Sequence, residues 1–316
     1  MDPERLTLHR LHNLAQTLLL LAGMAVLLGA LGWVIAGGAG VIWTLAVGLI
    51  ALSFTPRISP WMVLRLYGAR ELDPHAARGL YQLLGELAHR AGLGSTPRLF
   101  YLPTRVVNAF SVGSREQAAV VVSDGLLRNL PPRELTAVLA HEVSHIGHND
   151  MRVMTLADLV SRLTGLLSLS GQILLLINLP LLLFGMETVS WRAVLLLIAA
   201  PSISALLQLA LSRSREYEAD MGAAELTGDP EGLASALQRL EYVSQGWFER
   251  VFLPGRRVPE PSLLRTHPPT EERVRRLLSL VTRRPRMAGP PAYDPWLDAL
   301  PRIEVPPRWR IGGRWY

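Results

Sequence analysis

Four stretches of this chain are too apolar to be left in water, and they limit what it can fold into more than anything else in it. Residues 14–37 contain no charged side chain. Residues 41–54 form a shorter run, joined to the first through Gly37-Gly38-Ala39-Gly40 and closed by Thr55-Pro56-Arg57. Residues 163–184, with Pro180 near their end, and residues 193–211, with Pro201 and Gln208 inside, make a second pair. Backbone in hydrocarbon must satisfy its own hydrogen bonds, so each run is read as a membrane helix and each pair as a hairpin. The alternative is a pair of buried core hairpins in a water-soluble protein, and two hairpins of this apolarity argue against it. The first run exceeds the apolar part of a secretory signal and has no convincing cleavage site, so it reads as an anchor.

Apolar residues make up 49% of the chain and charged residues 18%. There is no Cys, which excludes disulfides and any thiolate metal site. The formal charge is +6 and all 32 basic residues are Arg. They are spread along the chain without a basic stripe, which fits genomic composition or thermal adaptation and not a nucleic-acid partner. Their distribution also gives an orientation. The tip of the first hairpin is uncharged and that of the second carries only Glu187 and Arg192. Arg5, Arg10, Arg57, Arg65, Arg70, Arg152, Arg162, Arg213 and Arg215 flank the other ends. Both termini and the soluble parts are therefore expected on the cytoplasmic side of a bacterial or archaeal-type inner membrane.

Between the hairpins lies His141-Glu142-Val143-Ser144-His145, on a helix predicted from Pro131 to Gly147. The two His are four apart, so both imidazoles leave one face, as two ligands of a divalent metal do. Glu142 is turned by about a quarter of a circle, placed to act on a water beside the metal without ligating it. The bland alternative is two surface His and a capping Glu. The apolar run Leu135, Ala137, Val138, Leu139, Ala140 speaks for burial instead, where such groups require a partner. A tetrahedral catalytic zinc needs a third protein ligand. Glu216 and Asp220, four apart after the last apolar run, share a face: one can ligate and the other can orient an imidazole, while Glu218 points away. A charged collar beside the membrane is the competing account, and Asp150 and His148 are further ligand candidates. Gly147 and His148 sit at the wrong offsets for a metzincin.

Around these residues the pattern predicts a helix from Asp73-Pro74 to about Arg90, strands at 98–102, 106–112 and 118–123, and a helix from Asp229-Pro230 to about Tyr242. Asn108-Ala109-Phe110 is either an exposed edge strand that pairs with an extended peptide or an ordinary strand near a turn. His267, before Pro268-Pro269, either stabilises an oxyanion or caps a turn. The tail from Pro285, rich in Pro, Arg and Trp, is either irregular chain packed along the domain or an interfacial anchor.

Together, Asn108-Ala109-Phe110, the Ala140–Ile146 segment with Asn149-Asp150, Ser212-Arg213 with Glu216-Tyr217 and Ala219-Asp220, and Thr266-His267-Pro268-Pro269 with Glu272-Arg273 resemble the HtpX-type membrane zinc metalloproteases. These are gluzincins related to the type I CAAX prenyl proteases. The resemblance runs from the first apolar run to about Leu280, and His148 departs from it. It implies one Zn(2+) per chain on His141, His145 and Glu216, with Asp220 supporting a ligand and Asn108 and His267 near bound substrate. The expected fold is mainly α, of α+β type: four transmembrane helices plus a zincin-like cytoplasmic catalytic domain with a small β-sheet. The expected parts are a transmembrane hairpin (1–55), catalytic parts at 56–155 and 212–284 around a second hairpin (156–211), and a tail (285–316). The implied activity is endopeptidase cleavage of misfolded or damaged membrane proteins in quality control and stress response. Glu142 would be the proton carrier, and His267, with Tyr217, would stabilise the oxyanion. Ala109 and Phe110 would join Asn108 in binding substrate. Alternatives are processing of prenylated C-terminal tails, for which four spans are few, and a silent membrane scaffold, against which Glu142 argues.

Overall fold

Every residue of the segment Ala118–Ser123 is buried, as a run of Ala and Val must be when both faces of a sheet are covered. The computed structural model describes residues 3–54, 60–183, 191–252, 268–281, 309–310 and 314–315. In chain order these form α1 (Pro3–Phe54), α2 (Pro60–Tyr67), β1 (Arg70–Glu71), α3 (Arg78–Arg90), β2 (Arg98–Leu102), β3 (Ala109–Gly113) and β4 (Ala118–Ser123). There follow α4 (Asp124–Asn129), α5 (Pro132–Gly147), α6 (Asp150–Leu183), α7 (Trp191–Thr227), α8 (Pro230–Phe252), α9 (Thr270–Ser279), β5 (Trp309–Arg310) and β6 (Arg314–Trp315). The chain divides into two units. One holds Met1–Arg10, Ile58–Met151 and Arg215–Tyr316, the other Leu11–Arg57 and Arg152–Ser214.

The first unit is built on a mixed sheet of order β1-β2-β4-β3. β2 and β4 are parallel, whereas β1 on β2 and β3 on β4 are antiparallel. One face of the sheet (Leu99, Tyr101, Val120, Val122) packs with Leu84 and Leu87 of α3, Leu139 and Val143 of α5, and Leu233 of α8. The other face (Phe100, Val112, Ala119, Val121) is covered by Leu64 of α2. Each such buried Leu, Val or Phe side chain contributes roughly 1.5–3 kcal/mol of transfer free energy. Helix α5 lies inside this core, and Glu134 in its first turn fastens it to α8 by accepting from Ser235 Oγ and Arg239 Nε, both at 2.6 Å. Arg133 adds a two-pronged bond to Asp229 at 2.5 and 2.7 Å.

In the second unit α1 is not a single rod. Its backbone leaves helical geometry at Ala36 (φ −144°) and Gly37 (φ 59°), a conformation open mainly to glycine. The two arms fold against each other: a Cβ on Gly40 would overlap the carbonyl of Gly32, and Gly48 faces Leu28. Small residues permit this approach, as they do between helices in lipid. Met24, Ala157 and Leu211 form one cluster joining α1, α6 and α7, and Leu27, Leu31, Leu197 and Ala200 form another. Ser161 meets Ser204 at 2.9 Å and Gln208 at 2.8 Å. Large apolar side chains also point outward, among them Leu19 (72% exposed), Trp43 (69%) and Leu195 (66%), the inside-out pattern lipid contact requires. Among the described residues, three helices are long and apolar enough to cross a membrane: Leu11–Ile50, Asp150–Ile173 and Ala193–Thr227.

Several local expectations shift. α3 starts at Arg78 and not at Pro74, because the Asp73 carboxylate accepts from the His75 N–H and closes a turn ahead of the helix. β3 starts at Ala109 and not at 106, because the backbone before it is spent on turns: the Val106 N–H goes to Thr104 Oγ1 and the Asn108 N–H to Ser123 Oγ. α5 takes Pro131 as its cap and starts at Pro132. Beyond β5 and β6, which pair Trp309 with Trp315, the tail lies outside the described residues, as does His267.

Candidate metal centre

α5 is buried along most of its length, His141, Glu142 and Ser144 included. It ends at Gly147 with His148 as its cap, and Asn149 follows in the left-handed region (φ 56°), which Asn tolerates better than most residues. That single residue lets α6 start at once, so Asp150 stands beside His145. On α7, the residues after the fourth apolar run continue as helix, and Glu216 and Asp220 leave it toward α5.

His141, His145 and Glu216 each offer a ligand atom within 4.8 Å of the others. The two Nε2 atoms are 3.1 Å apart, His141 Nε2 is 3.6 Å from Glu216 Oε2, and His145 Nε2 is 3.9 Å from Glu216 Oε1. A tetrahedral zinc with ligands at about 2.0–2.1 Å sets its donors about 3.3 Å apart, so the imidazole pair is already at that spacing and the Glu216 carboxylate stands a little outside it. The opposite nitrogens are backed by carboxylates. His141 Nδ1 is 3.1 Å from Asp220 Oδ1, and His145 Nδ1 is 2.7 Å from Asp150 Oδ2. Both rings therefore turn Nε2 to the centre and Nδ1 to an anion, which fixes tautomer and ring plane and raises ligand basicity.

Each supporting carboxylate is held by an arginine. Arg273 of α9 donates to Asp220 through Nε (2.7 Å) and Nη2 (2.5 Å), and its Nη1 is 3.3 Å from Glu216 Oε2. Arg215 Nη1 donates to Asp150 Oδ1 at 3.1 Å. Burial works against the charge of Arg273, but Asp220 and Glu216 more than restore it and hold its pKa above the ordinary guanidinium value. Burial likewise disfavours a charged His141, yet the Asp220 and Glu216 carboxylates override this and push the metal-free imidazole up to about 10.

The structure thus brings together His141, His145, Glu216 and Asp220, with Glu142 one residue along α5 and buried (8% exposed). Asp150, weighed as a ligand, stands behind His145 instead. His148, the other spare candidate, lies off the group: its Nδ1 is 3.2 Å from Ser144 Oγ and its Nε2 3.7 Å from Glu218 Oε1. Tyr217 faces α9. Arg276 lies over its ring, 3.7 Å from the centroid, and its hydroxyl donates to Glu272, helping to lower that carboxyl's pKa against the opposing effect of burial. An oxyanion role for Tyr217 requires its hydroxyl to leave Glu272. Ala109 and Phe110 lie on β3, an edge of the sheet among the described residues, with Asn108 just before it. Arg115, in the β3–β4 turn, donates to Gly147 O (3.1 Å) and Gly92 O (3.0 Å), tying that hairpin to the end of α5. Sequence reasoning missed the clamping roles of Arg215 and Arg273. The available signal was that buried carboxylates at 150 and 220 need cationic partners.

A profile of peptidase family M48 matches residues 74–281. The chain is also similar to a protein described as "Protease HtpX homolog" of Methylibium petroleiphilum. The two are 35% identical over 296 residues, covering 86% of this chain and 99% of that one. A protein of the same description from Paraburkholderia phytofirmans is 33% identical over 298 residues (85% and 97%), and one from Burkholderia mallei 34% over 288 residues (85% and 97%).

Proposed function

Because this chain belongs to peptidase family M48 and is a membrane metalloprotease, we propose that it is a zinc endopeptidase whose ion is held by His141, His145 and Glu216. The observation that carries the assignment is the convergence of two Nε2 atoms and one carboxylate, with each Nδ1 backed by its own buried acid. Two imidazoles and a carboxylate are a donor set that suits zinc. When bound, the ion would supply Lewis acidity to the scissile carbonyl and to a water.

The chain's own groups do the rest. Glu142 takes a proton from the attacking water and returns it to the leaving amine. Asp220 and Asp150 hold the two imidazoles in the ligating tautomer, and Arg273 and Arg215 hold those carboxylates in place. The substrate lies extended along Asn108, Ala109 and Phe110 and is gripped through its backbone. His267 stabilises the oxyanion, and Tyr217 joins it only if it releases Glu272.

The two arms of α1, with α6 and α7, are read as four membrane spans, and the Arg distribution supports a cytoplasmic position for the catalytic parts, 56–155 and 212–284. Substrates are polypeptides, and a site whose third ligand lies on a helix read as a membrane span suits misfolded or damaged membrane proteins. The test is Glu142→Ala: purified in detergent, it should retain its metal and lose casein cleavage. Persistent cleavage would remove Glu142 from its role.

A further inference from the structure

β3 pairs only with β4 among the described residues, and the pairing phase shows which of its backbone groups are spent. The Ser123 N–H donates to Asn108 O at 3.0 Å, and Ser114 and Gln117 exchange bonds at 3.1 and 3.3 Å across the turn. In an antiparallel ladder these bonded pairs alternate, so Phe110 and Val112 direct N–H and C=O to β4. Ala109 and Ser111 direct theirs away from the sheet. A strand added there would bond to Ala109 and Ser111, and its residue opposite Phe110 would fall in a non-bonded pair, the type in which side chains come closest.

The side chain meeting that residue is not alone. Phe110 lies on the sheet face covered by α2, and Tyr67, the last residue of α2, sets its ring 5.5 Å from the Phe110 ring at 52°. Tyr67 is 61% exposed and Phe110 only half-buried, while Val112 further along that face is buried. The open part of the face therefore begins at this aromatic pair. We propose that Tyr67 and Phe110 form a subsite that selects a bulky apolar side chain at the substrate position opposite Phe110. This rests on the peptidase reading of the edge strand and adds α2 to the groups that choose the substrate. An extended chain presents alternate side chains to one face, so positions two residues to either side share this exposure and the intervening ones do not.

The experiment is cut-site profiling of the full-length, detergent-solubilised protease on a library of proteome-derived peptides, read by mass spectrometry. The wild type should favour Leu, Phe or Met over Gly or Asp at one fixed position by roughly tenfold, a usual size for an apolar contact. Tyr67→Ser should reduce that ratio to within about twofold, and Tyr67→Phe should keep it. Equal thermal unfolding of the three proteins would assign the change to the subsite. An unchanged profile in Tyr67→Ser, with Glu142→Ala inactive, overturns the subsite and spares the protease. Library cleavage that Glu142→Ala performs equally well overturns the peptidase reading itself.

Discussion

Asp150→Asn tests whether the two carboxylates behind the imidazoles are part of the metal site. Asp150 is 3% exposed and accepts from His145 Nδ1 at 2.7 Å and from Arg215 Nη1 at 3.1 Å. Asn has nearly the same shape but no charge, and its single carbonyl oxygen cannot reproduce both bonds. A hydrogen bond to a charged acceptor contributes about 1.5–3 kcal/mol, some ten- to a hundredfold in an equilibrium constant. Loss of a carboxylate behind a ligating His costs about the same factor in metal affinity. The variant should therefore bind zinc about 10–100-fold more weakly and still bind one ion. Glu216→Ala, which would remove the proposed third ligand, should lose bound metal. The assay is competition with a chromogenic chelator in detergent, checked by elemental analysis. Zinc affinity within twofold of wild type would refute the argument. A loss as complete as that of Glu216→Ala would instead make Asp150 a ligand.

The raised pKa of His141 gives metal binding a pH dependence. Below about 10 the metal-free ring holds a proton that the ion must displace, so affinity should rise about tenfold per unit between pH 7 and 9. Calorimetry in buffers of different ionisation enthalpy should register the released proton, and a flat affinity would contradict the assignment. In the metal-free protein the same shift stabilises the fold fully below about pH 6.5 and is lost as pH rises through about 10, which denaturant titrations across that window would follow. Gly222→Ala sets a Cβ on Ser144 Oγ, between α7 and α5, and should destabilise by about 1–3 kcal/mol, seen as a lower Tm.

The parts of this architecture that the sequence disclosed are those with a period or a fixed spacing. The His pair four apart, the charge-free runs and the Val-rich strand at 118–123 each follow from one element's own geometry. The proposed third ligand did not follow in that way. Glu216 and Asp220 share a helical face with each other, but nothing in their spacing says that this face meets α5 and not water, and the family resemblance selected Glu216. The position of Asp150 behind His145 was hidden for a related reason. It depends on Asn149 adopting a left-handed conformation, a one-residue turn with no periodic signature. The clamps by Arg215 and Arg273 were hidden because every basic residue here is Arg, so a structural Arg looks like its neighbours until packing singles it out.

The charges around the two imidazoles explain why a divalent ion suits this site. Glu142, Asp150, Glu216 and Asp220 bring four carboxylates, all buried, and Arg215 and Arg273 bring two guanidiniums, also buried. With both imidazoles neutral, that leaves two negative charges in surroundings where uncompensated charge costs several kcal/mol each. A proton on His141 removes one of them, which is the physical reason its pKa rises in the metal-free protein despite burial. A doubly charged cation removes both. Arg273 makes the balance directional. It is shared between Asp220 and Glu216, so replacing it by Met would strip the counter-charge from both carboxylates while leaving every ligand in place. That variant should raise the proton affinity of His141, but the doubly charged ion gains more than a single proton does, so the pH at which zinc is half-displaced should move downward. The same substitution at Arg276, which touches Glu272 and Tyr217 instead, should leave that pH unchanged. Equal midpoints for the two variants would mean that Arg273 is only a packing residue and that the charge balance is not what sets the site's preference.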